Sequence, residues 1–205
     1  MNMTLELTPT DPKIGSELYR LPELDPVTNL GPKTFYPADP KQRLYYMPFD
    51  YGLTYKVTDP PFNRPDSDHK GYAIDWNMPV GATVIASRPG IVSYIAGWSD
   101  DNNGVKISRD EWDSDVLFTT SDFYIHLVLD PSIVLGRRIE RGEIIGVVGI
   151  ENHLHLEVQV SKHSGVGKDG RFTNDVPFPI VEITDRTDGI PWNGDICKSQ
   201  NICIQ

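Results

Sequence analysis

Cysteine is scarce in this chain: Cys197 and Cys203 are the only two in 205 residues. Two are too few for a disulfide scaffold or a four-cysteine zinc site, and their spacing leaves a small terminal disulfide or a thiol pair open. Positive charge is also in short supply, with 19 Lys and Arg against 29 Asp and Glu, a net charge of −10. A polyphosphate partner needs a basic stripe to neutralise it, so nucleic acid and anionic lipid are not expected as partners. No apolar run approaches the ~18–20 residues of a membrane-spanning helix. The first residues, MNMTLELTPTDPK, hold no basic stretch followed by an apolar one, so no signal peptide is visible there. No stretch of ten or more residues repeats its apolar positions at the helical period, which predicts few helices.

What the chain does have is proline at one end and short β-branched runs in the middle. Residues 1–44 carry seven prolines between Pro9 and Pro40 and show no regular period. They read as an extended N-terminal arm. The aromatic stretch Tyr45-Tyr46-Met47-Pro48-Phe49-Asp50-Tyr51 is expected to pack this arm's end on the main domain. Strands are expected at 83–86, 90–95, 105–108, 123–127 and 143–149, with Asn103-Gly104 as a tight turn. The run 123–127 alternates, so it places Tyr124 and His126 on one face. Val80-Gly81-Ala82-Thr83-Val84 before one Gly-Ile-Val strand echoes Arg141-Gly142-Glu143-Ile144-Ile145 before a Gly-Val-Val strand. Two similar hairpins folding across each other account for that echo. The expected divisions are an arm over 1–44, a β domain over 45–195 with its motif core at 69–160, and a C-terminal tail over 196–205.

Five histidines occur, and four cluster in informative places. The segment His153-Leu154-His155-Leu156-Glu157-Val158-Gln159-Val160 alternates strictly. Its leucines and valines face a core, and both histidines and Glu157 face the other way. One strand repeat, roughly 6–7 Å, separates the two imidazoles, which is close enough to serve one site. His126 lies on a second predicted strand. His69 and Asp75 flank a tight segment just before Trp76-Asn77-Met78-Pro79. A His, an Asp and a distant His-x-His strand are the donors of a catalytic zinc site, which uses three protein ligands and keeps a fourth position open. His163, in the polar run Ser161–Gly165, reads as an exposed loop histidine. Glu157 is either a hydrogen-bond partner of a ring nitrogen or a solvated strand residue.

At these residues the chain resembles the lysostaphin/LytM-type zinc metallopeptidases. Four ordered blocks carry the resemblance: HKGYAIDWNMPVGATVIASRPGIV from His69, YIHL at Tyr124, VLGRRIERGEIIGVVG, and HLHLEV at His153. Together they span about residues 69–160. The resemblance implies a mainly β fold, an antiparallel sheet or barrel-sandwich core with few helices. It implies one Zn2+ per chain on His69, Asp75 and His155, with His126 and His153 as catalytic histidines. Tyr124 and Glu157 are the further candidates for supporting these residues or touching substrate. The activity implied is zinc-dependent hydrolysis of peptide cross-links or bridges of bacterial peptidoglycan, in a secreted, periplasmic or cell-envelope setting; the oligomeric state is open, with a monomer favoured.

Two departures bear on that expectation. The family places three residues between its His and Asp ligands, whereas five separate His69 from Asp75, and Gly71 occupies the usual His position. The loop before His153 is only Ile150-Glu151-Asn152, where the family has a longer Gly/Ser/Thr-rich stretch. The alternative is therefore a degenerate member of the same fold that binds cell-wall peptide or regulates a partner hydrolase. A biotinyl/lipoyl-type carrier would share the paired Gly-Val strands but needs an attachment lysine at a hairpin tip, which is not found. The D-alanyl-D-alanine carboxypeptidase group matches the segment around His69 but fits the YIHL and HLHLEV blocks less well.

Overall fold

A computed structural model describes residues 45–59, 73–113, 116–162, 174–175 and 195–199. The expected arm over 1–44, His69, His163 and Cys203 lie outside the described residues. The elements in chain order are β1 (Thr54–Asp59), β2 (Ile74–Asn77), β3 (Thr83–Ile85), β4 (Gly90–Ser99), β5 (Asn102–Asp113) and β6 (Val116–Leu129). They continue with β7 (Arg138–Ile139), β8 (Ile144–Val148), β9 (Leu154–Lys162), β10 (Asn174–Asp175) and β11 (Ile196–Lys198). All of it is strand, as the mainly β reading expects, and no helix occurs among the described residues.

The strands form one 11-stranded sheet in the order β11-β1-β2-β9-β6-β5-β4-β7, with antiparallel pairing throughout. β10 adds to β9, and β3 joins through β8. Two rows across the centre show how sequence alternation becomes two faces. Ile74, Leu156, Tyr124 and Val105 follow one another in register and are all fully or almost fully buried. The adjacent row is Asp75, His155, Ile125 and Gly104, on the opposite face. One row builds the core and its neighbour carries the chemistry.

Tyr45, Met47 and Phe49 are buried, as expected for an aromatic stretch that packs on the main domain, while Tyr51 is exposed. The Phe49 ring meets Trp76 edge-on at 6.3 Å and Tyr55 at 4.9 Å. Ile196–Lys198, read from sequence as part of the tail, is the strand that lines β1, with buried Cys197 opposite Tyr55.

The sequence echo has a structural counterpart. Gly81 and Gly142 both take left-handed turns, with φ of 84° and 80°. Each glycine N–H then donates to the other unit, Gly81 to the Val148 carbonyl (2.8 Å) and Gly142 to the Ala86 carbonyl (2.9 Å). The strands that follow them, β3 and β8, pair with each other. The expected Asn103-Gly104 turn is not where the hairpin closes. The chain turns at Asp100-Asp101, and both residues lie inside β5. Gly104 is needed there for a different reason: a Cβ would come within 2.8 Å of the Phe123 ring, with Trp98 also over it.

A buried ion pair lies in the core. Asp122 is fully buried on β6, and Arg109 of β5 grips both of its oxygens, Nη1 to Oδ1 at 2.8 Å. Arg109 also donates to the carbonyls of Pro89 and Ile107, so its fork is largely satisfied. Removing one partner strands the other charge. Asp122→Ala is expected to cost about 3–5 kcal/mol in urea unfolding. The double change of Arg109→Met with Asp122→Leu is expected to recover most of that loss.

Candidate active site

The site grows from a register match between two neighbouring strands. Asp75 of β2 stands directly opposite His155 of β9, and its Oδ1 lies 2.9 Å from His155 Nδ1. The other side of β9 pairs with β6, where Ile125 faces His155. The next residue, His126, has φ of 69°. A left-handed residue in the middle of a strand of L-amino acids is uncommon and is held only where its surroundings require it. Here the requirement is visible: β6 pairs with β9 as far as Ile125, and from Leu127 onward it pairs with β8. His126 is the fork, and its carbonyl accepts from the Gly149 N–H at 2.7 Å.

That twist separates two residues that alternation puts together. Tyr124 does not share the face of His126. It is fully buried beside Leu156, and its hydroxyl oxygen accepts from the Ser87 N–H at 2.8 Å. Burial pushes its hydroxyl well above the ordinary range, so it stays protonated. A side chain so placed lies in the core, away from the face of His126 where alternation expects it. The cause is the single positive φ at His126, which breaks the period of two.

His153 arrives from the other direction. The short segment before β9 closes tightly, with Asn152 N–H donating to the Gly149 carbonyl and Asn152 itself at φ 57°. The Asn152 Oδ1 accepts from Val80 N–H at 3.2 Å, tying this turn to the start of β3's loop. The His153 ring then lies 4.4 Å from that of His126, with its Nε2 3.7 Å from Asp75 Oδ2. The His126 and His155 rings are 6.3 Å apart and nearly perpendicular. Thus Asp75, His126, His153 and His155 meet on one face of the sheet.

Glu157 shares that face. Its Oε2 is 3.8 Å from His155 Nε2, and its other oxygen accepts from Gln159 Nε2. Gln159 in turn accepts from Lys106 Nζ at 2.7 Å. Exposed Trp98 and Tyr94 and the half-buried Phe123 lie on the same side, and Lys106 Nζ sits 4.7 Å from the Phe123 ring centroid. Two residues that sequence reasoning passed over also belong here: Asn102 contacts His126 and Glu151, and the Glu151 carbonyl contacts His153. Nothing in the sequence flags an asparagine at a hairpin end, because that residue type is common there for backbone reasons alone.

The electrostatics split the histidines. Burial, with His153 and His155 nearby, lowers His126 to about 4. Burial also acts to lower His155, but the Asp75 hydrogen bond and the charges of Asp75 and Glu157 outweigh it and raise the imidazole to about 9. Asp75 and His155 offer an oxygen and a nitrogen of the kind zinc takes, aimed at one another. Among the described residues no group of three His, Cys, Asp or Glu is placed to hold a metal ion. The third donor implied by the sequence resemblance, His69, lies outside them.

No protein-family model matches the chain, and no curated protein matches it. Solved structures do. The catalytic domain of lysostaphin from Staphylococcus simulans is 24% identical over 55% of this chain and 84% of that one, with a TM-score of 0.35. Helicobacter pylori Csd3 is 20% identical over 60% of this chain, with a TM-score of 0.43. A zinc-containing peptidase from Vibrio cholerae is 20% identical over 58% of this chain, with a TM-score of 0.41. The chain is similar to lysostaphin-type peptidases. It spans only 36% of the Csd3 chain and 38% of the Vibrio peptidase. Likenesses of this size are partial, and the architecture here rests on the chain's own strand pairing.

The two shifted imidazoles make opposite demands on pH in the metal-free protein. His155 moves up from 6.5 to about 9, so its contribution to stability is complete below pH 6.5 and is lost as pH rises through 9. His126 moves down from 6.5 to about 4, so its contribution holds above pH 6.5 and is lost as pH falls through 4. In chelator, the combined contribution is expected to peak near pH 6.5. Urea midpoints across the pH range check this: His155→Gln should flatten the alkaline limb and His126→Gln the acid one.

Proposed function

We propose that the chain is a zinc-dependent endopeptidase acting on peptide cross-links or bridges of bacterial peptidoglycan, working outside the cytoplasm or in the cell envelope as a monomer. The observation that carries this reading is the meeting of Asp75, His126, His153 and His155 on one sheet face, each on its motif position. His69, Asp75 and His155 would hold one zinc ion. When bound, the ion supplies a Lewis acid that polarises the scissile carbonyl and makes water a nucleophile at neutral pH.

The chain's own residues do the rest. His126, unprotonated across the neutral range, is ready to accept a proton at the site. His153, its ring 4.4 Å away, is the second imidazole within reach of the same reacting group. One of the pair takes the proton released by attack and returns it to the leaving amine, and the other stabilises charge on the carbonyl oxygen. Glu157 faces the remaining nitrogen of His155 and holds that ring against Asp75. A surface with a net charge of −10 offers no general attraction to an anionic wall, so selection of substrate falls to the face that carries the histidines.

The test has two arms. Purified protein is expected to hold close to one zinc per chain and to release peptide fragments from purified peptidoglycan, read by mass analysis. Protein that neither contains nor takes up stoichiometric zinc overturns this reading in favour of the degenerate, binding-only form. His155→Ala should lose metal and activity together. His153→Ala should keep the metal and lose activity by roughly 10²–10⁴-fold. The reverse pattern, zinc lost in the second variant and kept in the first, exchanges the two roles.

A further inference from the structure

Two groups away from the Asp75–His155 pair tie the remaining histidines to fixed partners. Asn102 opens β5 just after the Asp100-Asp101 turn. Its Oδ1 lies 3.2 Å from His126 Nδ1, and its Nδ2 lies 3.3 Å from Glu151 Oε1. The backbone carbonyl of the same Glu151 lies 2.9 Å from His153 Nδ1. Donor and acceptor roles follow by elimination. An ionised carboxylate only accepts, so the NH2 of the Asn102 amide must face Glu151, and the amide oxygen must face His126. An amide oxygen also only accepts, so His126 Nδ1 carries the proton. The Glu151 carbonyl is an acceptor by the same reasoning, so His153 Nδ1 carries one too. A neutral imidazole has a single N–H. In neutral His126, therefore, Nε2 is left as a lone pair.

We propose that Asn102 is a positioning residue, its amide oriented by Glu151, that holds His126 as the Nδ1–H tautomer and so presents Nε2 as a proton acceptor. The Glu151 backbone carbonyl likewise takes the Nδ1 proton of His153, whose Nε2 faces Asp75. One hairpin end and one three-residue turn thus fix the Nδ1 of each ring. The proposal deepens the hydrolytic reading and rests on it for its consequence, since the lone pair matters to the reaction only if a proton is taken up there. The tautomer itself does not depend on that reading.

Nitrogen-15 NMR of histidine-labelled, metal-free protein near pH 8 reads the tautomers directly. His126 and His153 are both expected as Nδ1–H in the wild-type chain. Asn102→Ala removes the acceptor at His126 alone, so His126 should shift toward Nε2–H while His153 stays unchanged. Asn102→Asp keeps an oxygen at the same place and should restore Nδ1–H. An Nε2–H form of His126 in the wild type overturns the proposal, and so does an unchanged tautomer in Asn102→Ala. The wild-type spectrum decides the first point even if a variant does not fold. In zinc-loaded protein, Asn102→Ala should keep its metal and lower kcat on peptidoglycan roughly 10²-fold. An unaltered kcat alongside a changed tautomer overturns the positioning role. If wild-type protein cleaves no peptidoglycan while its tautomers are as stated, the functional reading fails and the tautomer assignment stands.

Discussion

The arrangement depends on β6 having to serve two neighbours on one edge. Along one side it pairs with β5, with a register shift that leaves His126 between the partners of Asn103 and Gly104, and along the other it gives its first part to β9 and its end to β8. A strand cannot change partners in this way while staying a flat ribbon, and the change is absorbed at one residue, His126, with its left-handed backbone. The cost of that conformation is met by the pairing of its neighbours Ile125 and Leu127 and by the Gly149 N–H on its carbonyl. What the fork achieves is chemical: it lifts one imidazole out of the regular alternation and brings it beside His153 and His155.

Around that fork the two faces of the sheet have different demands. The core face needs continuity, and the row Ile74, Leu156, Tyr124 and Val105 supplies it with no exposed member. The opposite face needs polar groups held still. Each is held by a partner on a different element, Asp75 by register with β9, His126 by Asn102, and His153 by the turn before its strand. The buried Arg109–Asp122 pair lies two residues along β6 from Tyr124 and locks β5 to β6. That lock keeps Asn102 and His126, on the same two strands, at a constant separation.

The β9 segment was fully legible in the sequence, because strict alternation over eight residues leaves one way to place His153, His155 and Glu157. The mainly β texture was legible in the short β-branched runs bounded by glycine at 83–86, 90–95 and 143–149. Legibility ended where geometry departs from a period. Alternation puts Tyr124 on the face of His126, since a lone positive φ has no signature in a histidine's neighbours. Asn103-Gly104 looked like a turn, but the glycine answers to the Phe123 ring packed over it, and that contact comes from a strand nineteen residues on. The strand holding Asp75 is only four residues long, too short for a periodicity to show, and it was the motif around it that pointed to the aspartate. Asn102 and Glu151 were silent because their meaning lies in the histidines they meet.

Asp75 and His155 sit on adjacent strands yet belong to distant parts of the chain, and β2 reaches β9 only after six intervening strands have found their places. Long-range pairing of this kind forms late and slowly compared with local contacts. A partly synthesised chain that stops short of β9 already contains Asp75, Asn102 and His126 but has nothing for them to meet. The reactive face is therefore complete only in a chain that has been made through β9 and has paired it with β2.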